Sequence, residues 1–534
     1  MVQNMKNLTY KKSIIILFLI TLLYLLPGIL SPRDFWIEDE ARYAEVLREM
    51  TQDGKWLVPH LNGEFYPDKP PIYFWLCVLI APIFGGISPL PCLVITFLNT
   101  FACAWAIYAF AQKIYNDHTI SLLSGLIFIS TFLILICAQI VRMDMLLTWF
   151  VILSFHYFYR AYTENKPNFF YLFYIFAALG VLAKGPFGLI FSFFPILFFL
   201  IFRRKWNYLK RFVFHPGFLL FFLIILAWLG SAWLAGYREY IHNLFFKQIA
   251  GRSVKAFSHR EPLYFYLMVL PLVLLPWVGF FPRAIKNFLQ KRNESGDLLF
   301  AWFLIDFIII SLVSGKLFIY LLPMLPPLAI ILGHFFKTQI DQDFLHKRKL
   351  TIESLISFLL TFGVFACIPI VARFYPVAKN YNVWPYAFIF FPLLVIGAIF
   401  IFQHSFRKYF ITVMTGMWLF SAYTMFSVAP KVNPAFSGRQ IGTDIIELSS
   451  EGYEIATFRV RRGILNFYAN CLLKEIQLND LDAFFDDDTP KVLILKTNEF
   501  RKQKYRFPDE VKQIHNYELA NEKYLIITNY GREN

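Results

Sequence analysis

Carboxylates crowd one short stretch of this 534-residue sequence: Trp36-Ile37-Glu38-Asp39-Glu40-Ala41-Arg42-Tyr43-Ala44-Glu45. A carboxylate held beside a reacting hydroxyl can take its proton, or can position an acceptor that is already nucleophilic. The same acids stand where a helix would begin, with Ala41, Ala44 and Leu47 on an apolar face and Val46 and Met50 nearby. Such a helix would lie on the outer membrane surface, Asp39 and Glu40 capping it and Arg42 pairing with Glu38 or Glu45. Spacing alone leaves both readings open.

A second group, Tyr66-Pro67-Asp68-Lys69-Pro70-Pro71, sets a cation in a proline-bracketed turn just before an apolar run. Lys69 could hold a lipid phosphate there as a compact point charge, or could simply reach from the membrane edge to water. Asp144 follows Arg142 by two residues, which suits either a salt bridge or a second acid turned toward a shared pocket. His259-Arg260-Glu261-Pro262, and Lys316 with Tyr320, fall at loops on the same expected side of the membrane. Asp486-Asp487-Asp488 before Thr489-Pro490 reads as a solvated turn. A Walker loop, HExxH and GxSxG are all missing from the sequence, which argues against an ATP-driven transporter, a zinc protease and a serine hydrolase.

The elements that must position these residues are membrane helices. Hydrophobic residues make up 57% of the chain and charged ones only 16%, with a mean hydropathy of +0.52. Apolar runs long enough to cross a core roughly 30 Å thick recur from Ser13 almost to Pro430. The net charge of +15 does not point to nucleic acid, because Lys and Arg fall in short clusters at helix ends. Placing those clusters in the cytoplasm, above all Arg203-Arg204-Lys205 through Lys210-Arg211, puts the N-terminus inside and the loop 31–70 outside. About thirteen spans follow, with residues 71–85 as a short interfacial or re-entrant piece broken by prolines. The expected organisation is a membrane domain, 1–430, and a small α/β domain, 431–534, on the outer side. Strands are expected at Ile455 to Val460, Val492 to Leu495 and Tyr524 to Thr528, with a helix near Gly463 to Ala469.

Asp39-Glu40-Ala41-Arg42-Tyr43-Ala44-Glu45, Tyr66-x-Asp68-Lys69-Pro70-Pro71, Arg142-x-Asp144, Leu182-Ala183-Lys184-Gly185-Pro186 and Gly315-Lys316-Leu317-x-x-Tyr320-x-x-Pro323 together resemble a known pattern. It is that of the GT-C polyprenyl-phosphate-dependent glycosyltransferases, especially the lipid A aminoarabinose transferases and the related bacterial protein mannosyltransferase-like enzymes. The resemblance implies an α-helical polytopic GT-C fold of about thirteen helices with a small soluble α/β tail. It implies inverting transfer of a sugar, aminoarabinose or a related one, from undecaprenyl phosphate to lipid A, outside the cytoplasm of the bacterial inner membrane. Asp39 would be the catalytic carboxylate, with Asp144 a second acid and Glu40 a further candidate. Lys69, Tyr66 and Tyr320 would hold the donor phosphate, and Arg42, Lys316 and Arg260 are further substrate-binding candidates. The donor carries its own activation, so no cofactor is required for it; Asp68 with His259 is a candidate pair for a divalent metal. The expected partners are the lipid-linked sugar, the acceptor and the bilayer, with a monomeric chain. Protein O-mannosylation is the enzymatic alternative and a lipid or small-molecule transporter the alternative of another class, the latter calling for charges at the bilayer midplane and repeated halves.

Overall fold

The computed structural model describes residues 8–245, 261–290, 293–341, 351–374, 381–403, 405–487, 489–508 and 511–530. The chain forms two units: Met1–Ser31 with Pro67–Tyr73 and Leu93–Val428, and Pro32–Tyr66 with Phe74–Cys92 and Ala429–Asn534.

The first unit is helical. Among the described residues seven helices are long and apolar enough to cross a membrane, and a bent pair makes an eighth. Five further apolar helices among the described residues are shorter, and several apolar runs are broken. The run from Ile120 to Ile140 gives His118–Ser130 and Phe132–Cys137, interrupted where Thr131 turns to an extended conformation. Ser130 and Thr131 hydroxyls there donate back to the Leu126 and Ile127 carbonyls, a local bonding pattern that competes with helix continuation. The run after Pro262 gives Phe265–Val273 and Val278–Gln290, bent by 113° around Pro276, which has no N–H to continue the ladder. The short piece at 71–85 is a helix, Ile72–Ile80, closed by a 3-10 turn, Ala81–Phe84, and belongs largely to the second unit.

Aromatic rings fill the first unit's interior, as at Trp302 stacked on Phe155 with centroids 3.8 Å apart. One carboxylate departs from the pattern of charges kept at helix ends. Asp306 lies fully buried within Glu294–Leu312, and neither of its oxygens has a hydrogen-bond partner among the described residues.

The tightest approach is the hairpin of Phe169–Lys184 and Phe187–Phe202. Gly185 turns it at φ +69°, a left-handed conformation suited to glycine. Gly180 and Gly188 face each other, so a Cβ on Gly188 would lie 2.1 Å from the Gly180 carbonyl carbon. Small residues at such a crossing let two membrane helices pack backbone against backbone.

In the second unit the helix Asp39–Gln52 forms as expected, but it is not laid open on a surface. Its polar side is covered too, with Glu45, Arg48 and Glu49 all buried. The hairpin of β1 (His60–Leu61) and β2 (Glu64–Phe65) follows it. The tail forms a five-stranded sheet from β3 (Glu454–Phe458), β4 (Lys474–Glu475), β5 (Lys491–Lys496), β6 (Lys512–Leu519) and β7 (Glu522–Thr528). Their order is β4-β3-β5-β7-β6, parallel from β4 to β5 and antiparallel beyond. All three expected strands are present, and the expected helix is the short Asn466–Ala469. The helix Arg439–Ser450 packs on the sheet through Ile441, Ile445 and Leu448.

Because backbone rather than a flexible side chain meets the added methyl, Gly188→Ala should destabilise the first unit by about 1–3 kcal/mol. Thermal unfolding of the detergent-purified protein checks this, and an unchanged midpoint would show that the hairpin is not tightly packed at that crossing.

Candidate active site

Three segments quoted above meet in the first unit. Asp144 begins the helix Asp144–Glu164, where the N-terminal end of a helix favours a negative charge. Its carboxylate is 2% exposed and takes Arg142 Nε at 3.0 Å on one oxygen and Lys184 Nζ on the other. Lys184 is the last residue of its helix, directly before the Gly185 turn, and its ammonium also sits 4.7 Å from the centre of the Tyr320 ring. That ring stacks on Phe187. Lys184 was not singled out as a site residue from the sequence. Its signal was a cation ending an otherwise apolar helix at a Lys-Gly-Pro turn.

Lys316 is also buried, but its ammonium donates to two backbone carbonyls, Glu261 at 3.0 Å and Val313 at 2.6 Å. That arrangement fixes the turn before Tyr320. Lys69 and Asp68 are half-buried, in the short segment Pro67–Tyr73 of the same unit. Asp68 lies close enough to Tyr240 to add to the effect of burial, which raises that phenol well above its ordinary range. His259 and Arg260 lie outside the described residues, so the proposed Asp68–His259 metal pair does too. Among the described residues no cluster of three or more His, Cys, Asp or Glu side chains is arranged for a metal.

The second unit carries Asp39, Glu40, Arg42 and Tyr66. Glu40 is held in a buried two-pronged pair with Arg33, at 2.7 and 3.0 Å, and also accepts the Trp36 N–H at 2.9 Å. These contacts give Glu40 the job of folding the loop before the helix. Asp39 keeps more of itself at the surface: its side chain is 25% exposed, with Arg42 at 3.3 Å. Arg42 also reaches Glu38 at 3.1 Å, and Glu38 in turn pairs with Arg461 of the tail. The pairing of Arg42 with Glu38 that spacing allowed is therefore present. Tyr66 is buried, and its N–H bonds the Pro59 carbonyl at 2.9 Å.

Behind this surface lies a polar group that the sequence did not suggest. Glu45 and Glu49, one turn apart, are both fully buried. Arg48 closes on Glu45 at 2.8 and 2.9 Å, while Glu49 accepts Lys55 at 3.1 Å and the Gly63 N–H at 3.0 Å. Burial raises Glu45 to about 7, against the pull of Arg48 and with a smaller push from Glu49.

The family described as dolichyl-phosphate-mannose-protein mannosyltransferase matches residues 68–230. An undecaprenyl phosphate-alpha-4-amino-4-deoxy-L-arabinose arabinosyl transferase of Proteus mirabilis is 30% identical over 341 residues, 62% of this chain and 60% of that enzyme. The matched stretch thus spans about 60% of the length of that curated relative. An uncharacterized protein of Aquifex aeolicus is 27% identical over 468 residues, 86% of this chain and 87% of that one. The crystal structure of ArnT from Cupriavidus metallidurans bound to undecaprenyl phosphate superposes with a TM-score of 0.76 at 17% identity, covering 97% of this chain and 98% of that one. The chain is a multi-pass membrane protein with the GT-C fold. Within that class it resembles the aminoarabinose transferases, as the motifs of its first loop implied.

Lys184→Met would strand a buried carboxylate, and although Arg142 remains beside it the loss should be about 3 kcal/mol of stability. Adding Asp144→Asn should restore part of that loss, which a double-mutant cycle on unfolding midpoints would measure; strict additivity would mean the two side chains are not coupled. Glu45 offers a second test. An acid whose pKa is raised on folding contributes stability at low pH that is lost as pH rises toward and through about 7. The unfolding midpoint of the wild type minus that of Glu45→Gln should therefore fall between pH 5 and pH 8, and a flat difference would mean that Glu45 is not raised.

Proposed function

We propose that this protein is an inverting glycosyltransferase that moves 4-amino-4-deoxy-L-arabinose, or a related sugar, from undecaprenyl phosphate to lipid A. The reading rests chiefly on the likeness in fold, over 97% of the chain, to an enzyme crystallised with undecaprenyl phosphate. Identity to the Proteus mirabilis arabinosyl transferase supports it. The protein would lie in the bacterial inner membrane as a monomer, with its N-terminus cytoplasmic and residues 431–534 forming a periplasmic domain.

In the transfer an acceptor oxygen attacks the anomeric carbon as the bond from that carbon to the phosphate oxygen breaks. The electron pair leaves with the polyprenyl phosphate. Asp39 takes the proton if the acceptor is a hydroxyl, and positions the acceptor if it is a phosphate. Lys69, with Tyr66 and Tyr320, holds the departing phosphate as its charge develops. Asp144 acts through Lys184, keeping that cation in place. The donor's own phosphate ester supplies the driving force, so the step uses no nucleotide.

The match of residues 68–230 to a protein mannosyltransferase family favours a second acceptor class, a hydroxyl on a periplasmic protein. Transfer from a radiolabelled polyprenyl-phosphate sugar, offered lipid A and a serine- and threonine-containing peptide in parallel, separates the two. Label is expected in lipid A. Lys69→Ala should cost about 100- to 1000-fold in kcat, as removal of one charge-stabilising contact does. Asp39→Asn should cost at least about 100-fold. Full transfer by both variants would sink the site assignment, and label confined to the peptide would sink the acceptor.

A further inference from the structure

The loop that brings the chain to Asp39 has a backbone with no regular structure of its own, yet its four successive amides are all satisfied. The Asp34 N–H donates to the Asn433 side-chain oxygen at 3.1 Å, and the Phe35 N–H to the Tyr468 hydroxyl at 2.8 Å. The Trp36 N–H donates to Glu40 at 2.9 Å, and the Ile37 N–H to the Phe436 carbonyl at 2.9 Å. Three of the four acceptors belong to residues 433–468, about four hundred residues further along the chain but in the same unit.

Asn433 carries the largest share. Its oxygen takes the indole N–H of Trp36 at 2.7 Å as well as the Asp34 amide, and its nitrogen donates to the Pro32 carbonyl at 3.2 Å. One side-chain amide therefore holds three alternate residues of the loop, Pro32, Asp34 and Trp36, and the indole it orients lies under the Arg33 guanidinium, 4.6 Å away. Arg33 in turn grips Glu40, the residue after Asp39. The chain of contacts runs from Asn433 to Trp36, to Arg33, to Glu40, and so to the first turn of the Asp39 helix. A 1 Å displacement of a catalytic group can cost about 100-fold in rate, so a loop with no internal ladder needs such a brace.

We infer that Asn433 is a positioning residue for sugar transfer, acting through Trp36 and the Arg33–Glu40 pair to set Asp39. The inference rests on the proposed role of Asp39, and the experiment is arranged so that the two can fail separately. It uses the purified full-length protein with undecaprenyl-phosphate-linked 4-amino-4-deoxy-L-arabinose and lipid A, reading kcat and the donor KM.

Asn433→Leu removes both acceptor contacts and should lower kcat at least about 30-fold while the donor KM changes less than about 3-fold, the pattern of an interaction needed only at the transition state. Asn433→Asp keeps an oxygen that accepts from both N–H groups but exchanges the donation to the Pro32 carbonyl for a second acceptor, so it should lose clearly less than Asn433→Leu, within about 10-fold of wild type, a partial rescue that a loss of general packing does not produce. Trp36→Phe removes one contact and should fall between them, and adding it to Asn433→Leu should cost nothing further. Wild-type kcat in Asn433→Leu, or equal losses in Asn433→Leu and Asn433→Asp, overturns the inference provided Asp39→Asn is inactive. Activity in Asp39→Asn overturns the underlying assignment instead. If Asn433→Leu does not fold, Trp36→Phe decides alone, and an unchanged kcat there overturns the inference.

Discussion

Lys184, Arg142 and Asp144 are held together where bulk water barely reaches, and the arrangement is possible only because each charge arrives with its opposite. An isolated ion taken from water into such surroundings loses several kcal/mol of hydration, more than one contact returns. That cost dictates the local architecture. Lys184 has to end its helix and Asp144 has to begin its own, so that the two consecutive antiparallel helices Asp144–Glu164 and Phe169–Lys184 bring both side chains to one end. Gly180, Gly185 and Gly188 close the next hairpin, that of Phe169–Lys184 and Phe187–Phe202, at the turn Lys184 enters. The same rule governs the second unit, where Glu40, Glu45 and Glu49 are each buried against Arg33, Arg48 and Lys55. Asp306 is the exception: among the described residues neither of its carboxylate oxygens has a hydrogen-bond partner.

Much of this was legible in the sequence because charge is rare in it. In a chain that is 57% hydrophobic, the few acids and cations outside the C-terminal tail stand out, and Asp39, Asp144, Lys69 and Lys316 could be picked by eye. Helices at Tyr10–Leu30 and Pro89–Tyr115 follow directly from the length of their apolar runs. The breaks did not show. An apolar run reads the same whether it continues or stops, so the interruption at Thr131 and the π-helical turn at Leu359–Gly363 left no trace in hydropathy. Partners were harder still. Arg33 belongs to none of the motifs singled out in the sequence, and nothing near it announces that Glu40 closes on it. Asn433 is separated from Trp36 by 397 residues, a distance at which no local pattern carries information.

The burial of the Asp39 helix is a correction with a physical cause. Its pattern of Ala41, Ala44 and Leu47 against Glu45, Arg48 and Glu49 is that of a helix with one wet side. The polar side is nevertheless covered, because its charges neutralise one another within the helix and with Lys55. Periodicity reports which residues differ in polarity; it does not report whether the polar ones have found partners.

Charge balance also distinguishes the groups from one another. Around Asp144 two cations, Arg142 and Lys184, share one carboxylate. Arg33 and Glu40 cancel, and so do Arg42 and Arg461 against Glu38 and Asp39. A neutral pair is suited to holding a backbone and is indifferent to an arriving anion. A carboxylate shared by two cations instead holds both of them in place, one on each oxygen. The carboxylate of Asp144 is thus the common anchor of Arg142 and Lys184, and the helices Asp144–Glu164 and Phe169–Lys184 are tied through it.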